Sequence, residues 1–213
     1  MTKTAAKFKT QKFYDRVADV QTVALKVNGY RKSVAKCLSF LDLDIGPESL
    51  VLDAGSGTGI VTLGFYSSKY RPKKTFTLDL SFNSLKVSRK QFKKDKATEA
   101  DSISAVQGNI LNLPFQNETF DLILTCGALE YVPLDSGLKE MSRVLKKGKK
   151  LVFFPVKRSM VGKFLGALYH FESHPVNEIK KISQKYFNIV GDYKFPITKP
   201  IGWSKIIFLL EKK

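Results

Sequence analysis

An α/β domain is predicted, with a mostly parallel sheet of seven strands, helices on both faces and a helical extension at the N-terminus. Three observations carry this prediction. Short β-like apolar runs alternate with longer stretches of helical periodicity along the whole chain. The first run feeds a glycine-rich turn, Val51-Leu-Asp-Ala-Gly-Ser-Gly-Thr-Gly59. The second run ends on an acidic residue, Asp79, 20 residues beyond the last glycine of that turn.

Residues 2–40 have an amphipathic helical pattern, with Phe8, Phe13, Tyr14, Val17 and Ala18 among lysines. A boundary is therefore expected near residue 40, with 1–40 as an extension or lid and 41–213 as the domain. Leu50–Asp53 is the first buried strand, followed by the turn and a helix from about Gly59. Thr75–Asp79 is the second strand, and a basic helix runs from about Ser81 to Lys94. Ser102–Gln107 and Phe120–Thr125 are strands three and four. A helix over Leu138–Lys146 leads to the fifth, Lys150–Pro155. An apolar helical stretch with Met160, Phe164, Leu165, Leu168, Tyr169 and Phe171 follows and is expected to end at Pro175. Phe187–Phe195 and Ser204–Leu210 complete the strands.

Composition sets outer limits. The 213 residues are 43% hydrophobic, enough for a sizeable core, and 16 Phe and 8 Tyr argue against disorder. The longest apolar runs, Leu151–Val156 and Ile206–Leu210, are far short of the roughly 18–20 residues of a membrane span. The first residues lack the apolar segment of a secretion signal, so a cytoplasmic protein is expected. Cys37 and Cys126 alone cannot form a disulfide framework or a Cys-rich metal site.

A formal charge of +17 suggests an anionic partner. It is unevenly spread. Met1–Phe40 has nine basic residues against Asp15 and Asp19, and Lys69–Lys96 has ten against Asp79 and Asp95. Residues 97–138 reverse the sign, with six acidic residues and no Lys or Arg, and Lys139–Lys163 restores it.

The glycine turn reads G-x-G-x-G. A dinucleotide fingerprint would need glycine where Ile60 stands, and the G-K-[ST] of a triphosphate loop is missing. Such a turn lets the backbone approach a nucleotide-like ligand closely, and Asp79 is placed to accept from both hydroxyls of a ribose. The bland alternative makes Asp79 a helix N-cap.

At these residues the chain resembles the class I S-adenosylmethionine-dependent methyltransferases, in particular the branch that methylates ubiquinone and menaquinone precursors. The resemblance spans roughly residues 10–156 and implies a Rossmann-like sheet with S-adenosylmethionine as cofactor. It implies that Asp53 and Gly55 lie beside the methionine half and that Ser56, Gly57 and Gly59 also bind the cofactor. It places Asp79 on the ribose and Leu80 beside adenine. Gly108-Asn109-Ile110, followed by Leu113-Pro114-Phe115, is similar to the family's G-D-x-x-x-L-P-F, with Asn109 in place of the acid that meets the adenine amino group and Ile110 as an adenine wall. Thr125, expected to be a further cofactor contact, and Cys126 stand at the tip of the family's F-D strand, which Phe120-Asp121 opens. Glu140, Arg143, Val144, Leu145 and Gly148 resemble E-x-x-R-V-L-K-P-G-G, with Lys147 replacing proline. Tyr14 begins half of a Y-D-x-x-A lid pattern that Val20 and Gln21 break.

No base can be carried over from the family, because the His pair of relatives is replaced here by Leu129-Glu130-Tyr131. Glu130, Tyr131 and His170 are the candidate catalytic groups. His170 and His174 flank Glu172 in the order H-x-E-x-H, which is not the H-E-x-x-H of a zinc helix, and no metal site is expected. Methyl transfer is an in-line displacement that proximity and alignment can drive. Residues 125–129 lack the N/D-P-P-Y or Pro-Cys segments of base-modifying enzymes, which favours a small apolar or lipid-like acceptor. The basic N-terminus then suggests peripheral contact with an anionic membrane. RNA or protein methylation on the basic surface, or S-adenosylmethionine binding without turnover, are the alternatives, with nucleic acid placed behind a membrane as partner.

Overall fold

The computed structural model describes residues 29–95, 100–158, 160, 166, 171, 173–195 and 205–213. Tyr14 and His170 lie outside the described residues, as does most of the apolar stretch after Pro155. Met160, which is described, is 89% exposed.

The described chain runs α1 (Tyr30–Phe40), β1 (Leu50–Ala54), α2 (Ile60–Tyr66), β2 (Lys74–Asp79), α3 (Phe82–Lys94), β3 (Ile103–Gln107), β4 (Phe120–Cys126), α4 (Leu134–Val144), β5 (Leu145–Phe154), α5 (Val176–Ser183), β6 (Phe187–Lys194) and β7 (Ile206–Lys212). One seven-stranded sheet has the order β3-β2-β1-β4-β5-β7-β6. The pairs β1–β2, β2–β3, β1–β4 and β4–β5 are parallel, and β7 alone runs antiparallel, between β5 and β6.

Strict alternation along the central strands creates two cores. Val51, Leu122, Leu124, Val152, Phe154, Ile207 and Leu209 face one side, where α1 and α2 bury Tyr30, Val34, Leu38, Ile60, Val61 and Phe65. Leu52, Ile123, Leu151, Phe153, Phe208 and Leu210 face the other, against Leu138 and Met141 of α4 and Ile179 of α5. Both faces are covered, which is why these strands read as unbroken apolar runs. The expected extension contributes its last turns directly to this packing: α1 lies on α2 so closely that a Cβ on Gly64 would sit 2.6 Å from Val34. Arg31 of α1 also pairs with Asp95 just beyond α3.

Two boundaries differ from the sequence expectation. α4 stops at Val144 because Leu145 already pairs with Phe120, so β5 starts earlier than Lys150. Pro175 opens a helix instead of closing one. It stands at the N-cap of α5, where its missing N–H is harmless. Charges favour α5 too, with Glu178 in its first turn and Lys180 and Lys181 in its last. The acidic stretch of residues 97–138 is partly neutralised by basic residues from distant elements. Glu118, Asp121 and Asp135 pair with Lys212, Lys146 and Lys185 from distant elements.

Candidate active site

Sequence order departs from spatial order at β1. From there the chain builds outward to β2 and β3, then returns to place β4 on β1's other side. A crevice outside the carboxyl ends of the strands is expected at such a switch point. The predicted cluster ends there: Asp53 and Ala54 on β1, Asp79 on β2, Thr125 and Cys126 on β4.

Gly55–Gly59 turns sharply over this edge. Gly55 N and Ser56 N both donate to Leu78 O, at 2.8 and 2.9 Å, and Gly59 N closes the turn on Ser56 O. Gly55 has φ 73°, and a Cβ there would meet Ala128 Cβ at 2.2 Å, so the loop and the segment after β4 touch. Gly57 has φ 53° but nothing within 4 Å of its would-be Cβ, so it faces open space. Its N–H donates to Asp79 Oδ2 at 2.7 Å, while Asp79 Oδ1 accepts from Ser81 N at 2.8 Å. The helix cap itself is Ser81, whose hydroxyl accepts from Ser84 N. Asp79 therefore supports the loop and is not the cap of α3.

Asp53 is 1% exposed. Thr62 donates to its Oδ2 at 2.6 Å, and Oδ1 has no partner. Burial pushes its carboxyl up to about 7, with the Thr62 hydrogen bond opposing and the nearby Asp79 charge adding to the rise. Ser56 Oγ, also buried, is likewise without a partner. Buried polar atoms are rarely left unsatisfied, and two beside a glycine turn fit a polar ligand such as an amino-acid end.

On β3's side, Gly108 N is tied to Asp79 O. Asn109 Oδ1 accepts from Leu111 N at 3.0 Å in a local turn, leaving one lone pair for a ligand. Ile110 is buried with Leu113 in the second core, and Leu80 is half-buried. Arg143 clamps this wall from beneath. It donates to Leu113 O, Phe115 O and Asn117 Oδ1 and forks onto Glu140, whose Oε1 accepts from Leu113 N.

The chain matches the family described as a methyltransferase domain over residues 52–153. It is 28% identical over 162 residues to the demethylmenaquinone methyltransferase of Bacillus mycoides, covering 75% of this chain and 67% of that protein. It is 35% identical over 166 residues to an uncharacterised protein of Methanocaldococcus jannaschii, covering 74% of this chain and 66% of that one. Among solved structures it resembles the geranyl diphosphate C-methyltransferase of Streptomyces coelicolor, in complex with S-adenosyl-L-homocysteine, at TM-score 0.69 and 14% identity, covering 84% of this chain and 78% of that one. This chain is a class I S-adenosylmethionine-dependent methyltransferase. The methyltransferase thus spans about two thirds of the length of the curated relatives it matches.

The β4 tip of this methyltransferase differs from the sequence picture. Thr125 Oγ1 donates to Ala54 O at 2.9 Å, tying β4 to β1 inside the sheet. Glu130, 6% exposed, lies in a short 3-10 turn, Leu129–Tyr131. Its Oε1 accepts from Val156 N at 2.5 Å and its Oε2 has no partner. Tyr131 packs edge-on against Phe171 at 5.6 Å.

Two residues at this tip had no signal in the sequence. Tyr30, from α1, hydrogen-bonds Cys126 Sγ at 2.9 Å and stacks on Phe195. Burial raises both the Tyr30 hydroxyl and the Cys126 thiol above their ordinary values, so Cys126 is a neutral thiol and not a nucleophile. Lys205 arrives just before β7, 8% exposed, and bridges to Val156. Only an alignment of strand registers could have found it.

Proposed function

We propose that the enzyme methylates a small apolar or lipid-like acceptor, with a quinone precursor first among these. One observation carries the acceptor class: just beyond β4, Tyr131 lies edge-on to Phe171 at 5.6 Å, and both residues are partly exposed. Flat apolar rings suit such a pair. Similarity to the demethylmenaquinone methyltransferase supports the same reading. Bound S-adenosylmethionine supplies a methyl group already activated by a positive sulfur.

The residues divide the remaining work. Asp53 Oδ1 and Ser56 Oγ receive the amino-acid end, and Gly57 leaves room for the backbone to approach. Asp79, at the end of β2 beside the glycine turn, accepts the ribose hydroxyls. Leu80 and Ile110 flank adenine, and Asn109 accepts its amino group. Glu130 and Tyr131 border the acceptor, which is held in line for displacement.

The exposed basic side of α3, Lys86, Arg89, Lys90, Lys93 and Lys94, with Phe82 57% exposed, supports docking on an anionic membrane where such an acceptor resides. No helix among the described residues is long and apolar enough to cross one.

The test is methyl transfer from labelled S-adenosylmethionine to a panel of demethylated quinols, phospholipids and total RNA, with and without anionic liposomes. Labelling of a quinol, increased by liposomes, is expected. Labelling of RNA alone overturns the acceptor reading, and S-adenosylhomocysteine binding without any labelling indicates a silent binding protein.

A further inference from the structure

Among the described residues, Lys205 is a buried cation without an anion. Its Nζ has one long hydrogen bond, 3.4 Å to Phe154 O, and it forms no ion pair among the described residues. Two of its three donors are therefore left over. The ammonium lies against the β4 tip, 3.4 Å from where a Cβ on Gly127 would stand. Glu130 is the complementary case, a buried carboxylate whose Oε2 accepts from nothing.

Strand register brings these two together. Glu130 Oε1 is fixed on Val156 N, and Val156 pairs antiparallel with Lys205. Both charges act on the thiol of Cys126 between Thr125 and Gly127. Yet they do not pair with each other, so spare donors and a spare acceptor remain at one end of the sheet. Buried groups of this kind are costly unless a ligand satisfies them. A hydroxyl carries both complementary functions, a donor for the carboxylate and an acceptor for the ammonium.

We propose that Lys205 and Glu130 form the acceptor's hydroxyl-binding pair, Lys205 holding the oxyanion and Glu130 Oε2 taking the proton. This rests on the methyl-transfer reading above and extends it to an acceptor bearing an acidic, phenol-like hydroxyl. The O–H bond breaks and its proton passes to Glu130, which becomes neutral. The electron pair left on oxygen, or on the ring carbon conjugated with it, forms the bond to the methyl carbon, and the pair of the carbon–sulfur bond stays on sulfur. Glu130 returns its proton to solvent. Where carbon is methylated, the ring carbon loses its own proton as the hydroxyl is restored.

The experiment compares 4-nitrophenol with 4-nitroanisole, which lacks the hydroxyl, by calorimetry on the full chain saturated with S-adenosylhomocysteine in mildly acidic buffer. The wild type is expected to prefer the phenol at least tenfold. Lys205→Met and Glu130→Gln should each abolish that preference while leaving S-adenosylhomocysteine affinity within twofold, and Lys205→Arg should keep part of it. Absence of a preference in the wild type overturns the proposal, whatever the variants do. So does a preference that survives Lys205→Met. If quinols are methylated in that event, the proposed function stands and only this pair falls. If the preference holds but no quinol is methylated, the pair stands and the quinone reading falls.

Discussion

The Gly57 amide donates to Asp79 Oδ2 at 2.7 Å, so the acid at the end of β2 holds the glycine loop in addition to the ribose contact proposed for it. Asp79→Ala removes both functions. A hydrogen bond to a charged group contributes about 1.5–3 kcal/mol, so S-adenosylhomocysteine affinity should fall by about ten- to a hundredfold. Asp79→Asn keeps an oxygen for the loop and should lose less. Calorimetric titration checks both, and wild-type affinity in the Ala variant would remove Asp79 from the site.

The loop glycines are expected to separate stability from binding. At Gly55 a side chain meets Ala128 at 2.2 Å in a left-handed backbone. Overpacking costs about 1–3 kcal/mol, so Gly55→Ala should lower the melting temperature by several degrees. Gly57 shares the left-handed backbone but has open space beyond it. Gly57→Val should therefore melt closer to wild type and lose ligand affinity severely. Equal melting shifts in the two variants would contradict this geometry.

Burial raises the Asp53 carboxyl to about 7, against an ordinary value near 4. The ligand-free fold thus holds a proton that the unfolded chain releases, and the stability from this group falls as pH rises from about 4 to about 7. An ammonium arriving at Oδ1 favours the ionised form, so the sign reverses for binding. S-adenosylhomocysteine should bind more tightly with rising pH over that window, by up to about tenfold per unit, with proton release. Asp53→Asn should flatten both profiles. Calorimetry in two buffers of different ionisation heat measures the proton directly.

Arg143 makes contacts that only a guanidinium can. It reaches Leu113 O, Phe115 O, Asn117 and both oxygens of Glu140. Arg143→Lys keeps the charge and loses the fork. Destabilisation of about 2 kcal/mol is expected from denaturant titration, together with weaker cofactor binding as the segment carrying Asn109 and Ile110 loosens. Lys147→Ala, on the exposed turn of β5, should leave both unchanged.

Legibility followed sequence distance. β1, β2 and β4 and the helices α2 and α3 could be read because alternation and 3.6-residue periodicity are local. The glycine turn and Asp79 could be read because a compact motif links them. Asp79 and the cap at Ser81, two residues apart, divide roles that the sequence left open. The β4 tip was largely hidden. Tyr30 and Cys126 are 96 residues apart, and Lys205 meets Val156 only through the antiparallel placement of β7. Thr125 was visible as a strand-tip hydroxyl, but its bond to Ala54 O depends on which way the pleat turns it. At Pro175, a residue that both ends and begins helices stood for one outcome and produced the other.

The matched methyltransferase domain covers residues 52–153, which include the whole glycine turn, Asp79, Asn109 and Glu130. Tyr30 and Lys205 come from outside it, one from each flank. The proposed acceptor end is therefore assembled from both flanks together with Glu130 of the matched domain. Grafting only the flanks of a relative onto this chain changes the surroundings of Glu130 and leaves the glycine turn and Asp79 as they are.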